Sequence, residues 1–167
     1  MLWTTNRQDI SNADYVDDIV SAEIPNAEQF PELHDVVTMH MMHGPCGENT
    51  SATCMKPSVS EERRCRFHFP FQPRKTTLIP DNGREPLYRR RCQTTIIKRG
   101  RLMDDRWVAS YNALLLLKYR AHINVIVCTG SSPVKWLKLA TEEHCNDTVR
   151  PFATTWDIGG ITCAFAI

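Results

Sequence analysis

Several common signatures are missing from these 167 residues. No apolar run approaches the roughly 18–20 residues that a membrane-spanning helix requires. The opening MLWTTNRQD has no basic stretch followed by an apolar one, so it does not read as a secretion signal. An intracellular protein with no membrane partner is the expectation. There is no G-x-x-x-x-G-K-[ST] loop, which excludes the usual phosphate cradle of an ATPase. G-x-G-x-x-G and G-x-S-x-G are absent too, and no seed of a Ser-His-Asp triad stands out. Internal repeats and low-complexity tracts are lacking. No small-molecule substrate is evident.

The composition is that of a globular chain, 42% hydrophobic and 23% charged, long enough for one domain with a real core. Seven cysteines are many for a protein without a secretion signal. The count is odd, which favours free thiols or metal ligands over a disulfide framework. A net charge of +1 conceals a strong internal polarity. Residues 1–55 carry one arginine against nine acids, and residues 56–101 carry thirteen Lys/Arg against four acids. Residues 102–167 balance six against six. A block this basic suits an anionic partner such as nucleic acid, or it docks on the chain's own acidic third. Charge alone leaves the two readings level.

Tyr111–Gly130, YNALLLLKYRAHINVIVCTG, is the most strongly patterned stretch. NALLLLKY is rich in helix formers, and AHINVIVC is a short β-rich run closed by Thr129-Gly130. In the strand, Ile123, Val125 and Val127 point to one side and His122, Asn124 and Ile126 to the other. A helix is expected over Ser132–His144, and Asn146–Ile167 reads as a weakly patterned tail. Nearer the start, Ser11–Ile24 reads as a helix. Ser11 or Asn12 can cap it, and Pro25 would stop it. Its stripe is Val16, Ile19 and Val20, with Tyr15 a further candidate. A second helix runs from Pro31 to about Met42, with Leu33, Val36, Val37, His40 and Met41 on one face. His43–Phe71 has little periodicity. A hairpin is expected from Thr76–Ile79 and Leu87–Arg91 around Pro80-Asp81-Asn82-Gly83. Thr94–Lys98 can continue as strand, and Trp107–Tyr111 reads as another.

Three constellations could carry chemistry. The first is His40-x2-His43-x2-Cys46-x7-Cys54-x10-Cys65-x2-His68. Zinc takes four soft or borderline donors in a tetrahedron, and Cys46, Cys54 and Cys65 with either His43 or His68 would supply them. The spacing is not that of a standard finger. The bland alternative has His40 on a helix face and the cysteines as small buried hydrophobes. His40 and His43, three apart in a helical context, would share one helix face. The second constellation is the basic block. Arg74, Lys75, Arg89, Arg90, Arg91, Lys98 and Arg99 are its candidates for phosphate contact. Phe67, Phe69, Phe71 and Tyr88 are interleaved; aromatics can stack on unpaired bases, but the core is the favoured place for the phenylalanines. The third is Tyr111, Asn112, His122 and Asn124, where a satisfied structural histidine is the favoured reading of His122.

Four blocks, FPELHDVVTMHMMHGPCGENTSATCMK, FPFQPRKT, DNGREPLYRRR and YNALLLLKYRAHINVIVCTGSSPVKWL, resemble the helicase-like N-terminal region of Helitron transposases. The likeness runs from about Asp14 to Leu137, with the blocks in the family's order. Its most specific parts are His43–Gly47, Tyr88–Arg91 and Tyr111–Cys128. The chain accordingly divides into an unmatched start at 1–13, a partial Helitron region at 14–145 and an unrelated tail at 146–167. The resemblance implies an α+β fold, an antiparallel sheet with flanking helices. It would be a partial rolling-circle nuclease-like domain with a Cys/His-rich loop insertion. In full-length relatives this region is joined to a DNA helicase. The parent chemistry is attack by a helix-borne tyrosine on a single-strand phosphodiester, assisted by divalent metal. Divalent metal and ATP belong to the intact parents.

The likeness breaks at the decisive points. MLWTTNRQD stands where the family has its metal-binding histidine pair. The tyrosine helix, normally Lys-Tyr-Leu-x-Lys-Tyr, reads Val134-Lys135-Trp136-Leu137-Lys138-Leu139-Ala140, and a tryptophan has no hydroxyl to become a phosphotyrosine. The expectation is a truncated transposon-derived fragment, nuclear, that binds single-stranded DNA without cleaving it and holds zinc at Cys46, Cys54, Cys65 and His43. The alternatives are an enzyme completed by missing segments, or a pseudogene product with no stable role.

Overall fold

The computed structural model describes residues 12–46, 54–56, 64–81, 84–128, 155–158 and 161–166. The expected helix over Ser132–His144, Trp136 within it, and the Asn82-Gly83 turn lie outside those residues. The architecture is mixed helix and antiparallel strand, an α+β arrangement. The described strands form three small sheets, two of two strands and one of three.

Helix α1 spans Ala13–Ile19, and Asn12 caps it by accepting from the Asp14 N–H at 2.9 Å. The expected helix ran to Ile24. The structure ends it five residues earlier because Val20–Ile24 has another use. Ser21 exchanges both backbone hydrogen bonds with Tyr111 at 2.8 Å, and the Ile24 N–H reaches the Asp105 carboxylate at 2.7 Å. Tertiary partners for the backbone outcompete helical propensity here. Helix α2 covers Pro31–Val36, with Pro31 at the first turn, and continues as a π-helical turn over Val37–Met41. Val36, Val37 and Met41 are buried as the apolar spacing requires. The chain then turns extended, so His43 lies beyond the helix and does not share a helical face with His40.

Strand β1 (Met55–Lys56) pairs with β2 (Arg64–Cys65). The expected hairpin is present as bridges between Arg74 and Arg90 and between Leu78 and Leu87. Four steps on one side face three on the other, so the first arm carries a bulge next to Thr77. Strands β3 (Ile96–Lys98) and β4 (Arg101–Met103) make a second hairpin. Its two-residue turn, Arg99-Gly100, has φ of 51° and 73°, the left-handed pair that a tight primed turn demands. Asp105–Trp107 is a 3-10 turn, so the strand expected from Trp107 starts one residue later, and Val108–Tyr111 runs extended. Helix α3 (Ala113–Tyr119) is capped by Asn112, whose Oδ1 accepts from Leu115 N–H at 3.0 Å. Arg120, left-handed at φ 47°, ends it.

Strand β5 (Asn124–Cys128) follows, with Ile123, Val125 and Val127 buried on one face as the alternation requires. It pairs with β7 (Ile161–Ala166), which pairs in turn with β6 (Thr155–Ile158). The stretch expected to be a weakly patterned tail thus contributes two strands.

Two cores result. One gathers Met41, Met103, Trp107, Val108, Tyr111 and Leu116 around Cys46, Cys54 and Cys65. The other joins Val16 of α1 and Val20 just after it to Ile123 and to Val125 and Val127 of β5 across Tyr88. The Tyr88 hydroxyl accepts from the Val127 N–H at 2.9 Å. Among the described residues no helix is long and apolar enough to cross a membrane.

Candidate metal centre and nucleic-acid interface

Three segments meet at the cysteines. The exit of the π turn carries His43 and Cys46, β1 follows Cys54, and β2 ends on Cys65. The Arg66 N–H donates to the Cys54 carbonyl at 2.8 Å, and the His43 N–H donates to the Trp107 carbonyl at 2.8 Å. These bonds bring the ligand-bearing loops together without a helix or sheet of any length. The donor atoms of His43, Cys46, Cys54 and Cys65 all lie within 4.8 Å of one another. His43 Nε2 stands 3.4 Å from Cys65 Sγ. Of the two histidines that the spacing allowed, His43 joins the cluster. His68 is exposed in a left-handed turn at φ 64° and is not part of it.

The chemistry of this group suits a cation. Burial pushes the Cys46 thiol up to about 12, and hydrogen bonds and charge from Cys65 and Cys54 add to it. Burial raises the Cys54 thiol as well. The Cys46 and Cys54 thiols thus resist ionisation unless a positive ion collects them. Burial, with the charge of His122, lowers the pKa of His43 and favours the neutral imidazole that ligates metal. The His43 ring is also held flat on Phe69, with centroids 4.2 Å apart and 6° between planes. The four residues are within metal-ligand distance and carry the donor types a metal ion would need.

The basic block divides when its side chains are placed. Arg74, Lys75, Arg90, Arg91, Pro73 and Gln93 line one open cleft of about 510 Å3. Arg90 is nevertheless buried, at 4% exposure. Its Nη1 faces the carbonyls of Ala22, Asp105 and Val108, and its guanidinium lies 4.4 Å over the Phe71 ring. Burial lowers its pKa to about 10, against the attraction of Asp105, so it remains a cation at neutral pH. Arg89 pairs with Asp17 at 2.9 Å and Glu23 at 3.2 Å. Arg91 grips Glu23 with both its guanidinium and its backbone N–H, at 2.8 Å each. Burial would raise the Glu23 pKa, but the hydrogen bonds of Arg91 and the charges of Arg89 and Arg91 outweigh it and bring it below the usual value. Arg89–Arg91 were expected to meet phosphate. Most of their charge goes instead to the acidic first third, the second of the two readings that composition left open.

Lys98 and Arg99 sit elsewhere. Lys98 Nζ donates to the carbonyls of Thr38 at 2.6 Å and Met39 at 3.3 Å, closing the end of the π turn. Arg99 leans over the segment between His43 and Cys46, where a Cβ on Gly44 would come within 3.3 Å of its Nη1. Neither residue lines the cleft. Arg74 and Lys75 have no ion-pair partner among the described residues.

Tyr111, Asn112 and His122 of the third constellation make structural hydrogen bonds. Tyr111 is buried, its hydroxyl donates to the Glu23 carbonyl at 2.9 Å, and burial pushes its pKa up to about 12. Asn112 Nδ2 donates to the Ile19 carbonyl at 2.8 Å. His122 Nδ1 bonds with the His40 carbonyl at 2.8 Å, the satisfied histidine expected of it. Sequence reasoning missed Asp105, which is buried and accepts from the N–H groups of both Ile24 and Cys92. Its only outward signal is the Asp104-Asp105 pair before Trp107. No protein-family model matches this chain, and no curated protein matches it.

Proposed function

We propose that this chain is a zinc-stapled module that binds single-stranded DNA without cutting it, derived from the rolling-circle nuclease region of Helitron transposases. The observation that carries the DNA reading is the cleft in which Arg74 and Lys75 stand beside Arg90 and Arg91. Arg89, Arg90 and Arg91 are balanced by Asp17, Glu23 and Asp105, so the cleft's positive potential comes mainly from Arg74 and Lys75. Two or three phosphate contacts follow, a modest electrostatic grip. Titrating the protein with a fluorescent oligonucleotide checks it. The slope of log affinity against log salt should be about −1.4 to −2.1, a loss of about 7- to 18-fold between 50 and 200 mM salt. Binding without salt dependence, or none at low salt, overturns the reading.

Zinc is the ion that a Cys3His set favours. Its role is structural, because it would tie the exit of the π turn to β1 and β2, segments with few backbone bonds of their own. Elemental analysis of protein purified without chelator should return about one atom per chain; under about half would argue against the site. Chelation should lower the melting temperature and expose the three thiols to titration. The hydroxyls of Tyr88 and Tyr111 are both committed to the backbone, so neither is placed to attack a phosphodiester. Incubation with single-stranded DNA and manganese should leave the strand intact, and a nicked product would restore the enzyme reading.

A further inference from the structure

The turn after β2 does something unusual with its aromatics. Backbone bonds fix it: Arg66 N–H to the Cys54 carbonyl at 2.8 Å and His68 N–H to the Cys65 carbonyl at 3.0 Å. With the backbone so held, Phe67 is turned outward and stays 45% exposed, although a buried core lies immediately behind it. The Arg66 guanidinium lies 4.6 Å over its ring. Behind Phe67 the rings continue in an unbroken series. Phe67 meets His43 edge-on at 5.8 Å, His43 stacks on Phe69 at 4.2 Å, and Phe69 meets Phe71 edge-on at 4.8 Å. Phe71 then lies under the Arg90 guanidinium at 4.4 Å, and Arg90 borders the cleft. One row of π-faces and cations thus leads from an exposed ring, past a candidate metal ligand, to the phosphate cleft.

We propose that Arg66 and Phe67 form a stacking subsite for an unpaired nucleobase of the strand whose phosphates enter the cleft. This rests on the single-stranded DNA reading above and adds to it where a base is held. An exposed aromatic under a guanidinium offers a flat, cationic platform, and every base has a face to lay on it. Duplex bases have their faces already covered by stacking, so the platform selects single strands. The cation supplies charge complementarity to the adjoining phosphate. Because His43 is packed against both Phe67 and Phe69, a metal ion on His43 would also hold the platform in place.

The test compares two polymers of equal length on the unmodified chain, an oligothymidylate and an abasic strand of sugar and phosphate only. The thymidylate should bind about 5- to 160-fold more tightly, the range of one base–aromatic contact. Phe67→Ala should abolish that preference while leaving abasic binding and metal content unchanged, and Phe67→Trp should keep it. Equal affinity of the unmodified chain for both polymers overturns the subsite, as does a preference that survives Phe67→Ala. Salt-dependent but equal binding sinks the stacking alone and leaves the cleft standing. Binding of neither polymer sinks the DNA reading and the subsite with it. The two-polymer comparison uses the natural sequence, so it stays decisive if Phe67→Ala does not fold.

Discussion

Arg89–Arg91 and Arg74–Lys75 lie on facing arms of one hairpin and look alike as sequence, and Arg90 and Arg91 border the same cleft as Arg74 and Lys75. They differ in what stands behind them. Arg89 and Arg91 reach Asp17 and Glu23, and Arg90 is inserted among three backbone carbonyls. Arg74 and Lys75 face the opening with no described counter-ion. The denser cluster is therefore mortar between the acidic first third and the rest of the fold, and the sparser one keeps its charge. A count of basic residues measures potential available to a ligand only after internal pairs have been removed.

The largest expected effect breaks the mortar. Arg90→Ala should cost about 3–5 kcal/mol, because it leaves buried carbonyls and Asp105 without their cation. Denaturant unfolding measures this; a loss under about 1 kcal/mol would mean that Arg90 is not structural.

Glu23→Gln attacks the same cluster from its acidic side. Arg89 and Arg91 are about a third to nearly half exposed, at 32% and 44%, so solvent screens part of the pairing. A stability loss of about 1 kcal/mol is expected. The freed arginines should at the same time raise affinity for single-stranded DNA about two- to fivefold, since each added phosphate contact strengthens binding. A variant that is less stable and binds no better would show that these arginines cannot swing into the cleft.

Acid should act through the same residue. Glu23 has its folded pKa below its ordinary value, so its contribution is complete above the unfolded pKa and is lost as pH falls through the lowered folded one. Asp104, where Arg106 likewise outweighs burial, adds to the loss in the same direction. The informative quantity is the gap in stability between the natural chain and Glu23→Gln. It should narrow as pH drops from 6 through 4, and a constant gap would remove Glu23 from the account.

The smallest effect on stability belongs to the open pair. Arg74→Ala or Lys75→Ala should change unfolding free energy by less than about 0.5 kcal/mol, as surface substitutions do. Each should make the salt slope of DNA binding shallower by about 0.7. An unchanged slope would move the phosphate contacts away from this cleft.

The candidate metal quartet was legible in the spacing of soft donors, up to the choice between His43 and His68. That choice needed the chain's path: Met42 leaves the π turn in extended form and carries His43 inward, while His68 lies in a left-handed exposed turn. Phe67 was misjudged for a related reason. Hydrophobicity sends a phenylalanine to the core, yet the two backbone bonds that close its turn leave it outside. The early stop of α1 was hidden because the competing backbone partners, Tyr111 and Asp105, are more than eighty residues away in sequence.

Features that depend on neighbours along the chain could be read from the residues in order. Asn112 capping a run of leucines, the alternation of Ile123, Val125 and Val127, and Pro31 at a helix start rest on periods and caps that a few residues define. Tertiary structure alone decided where Arg89, Arg90 and Arg91 spend their charge, and which histidine joins three cysteines. Both outcomes depend on partners brought from distant segments, and Coulomb and ligand interactions act over a few ångströms in space whatever the separation in sequence.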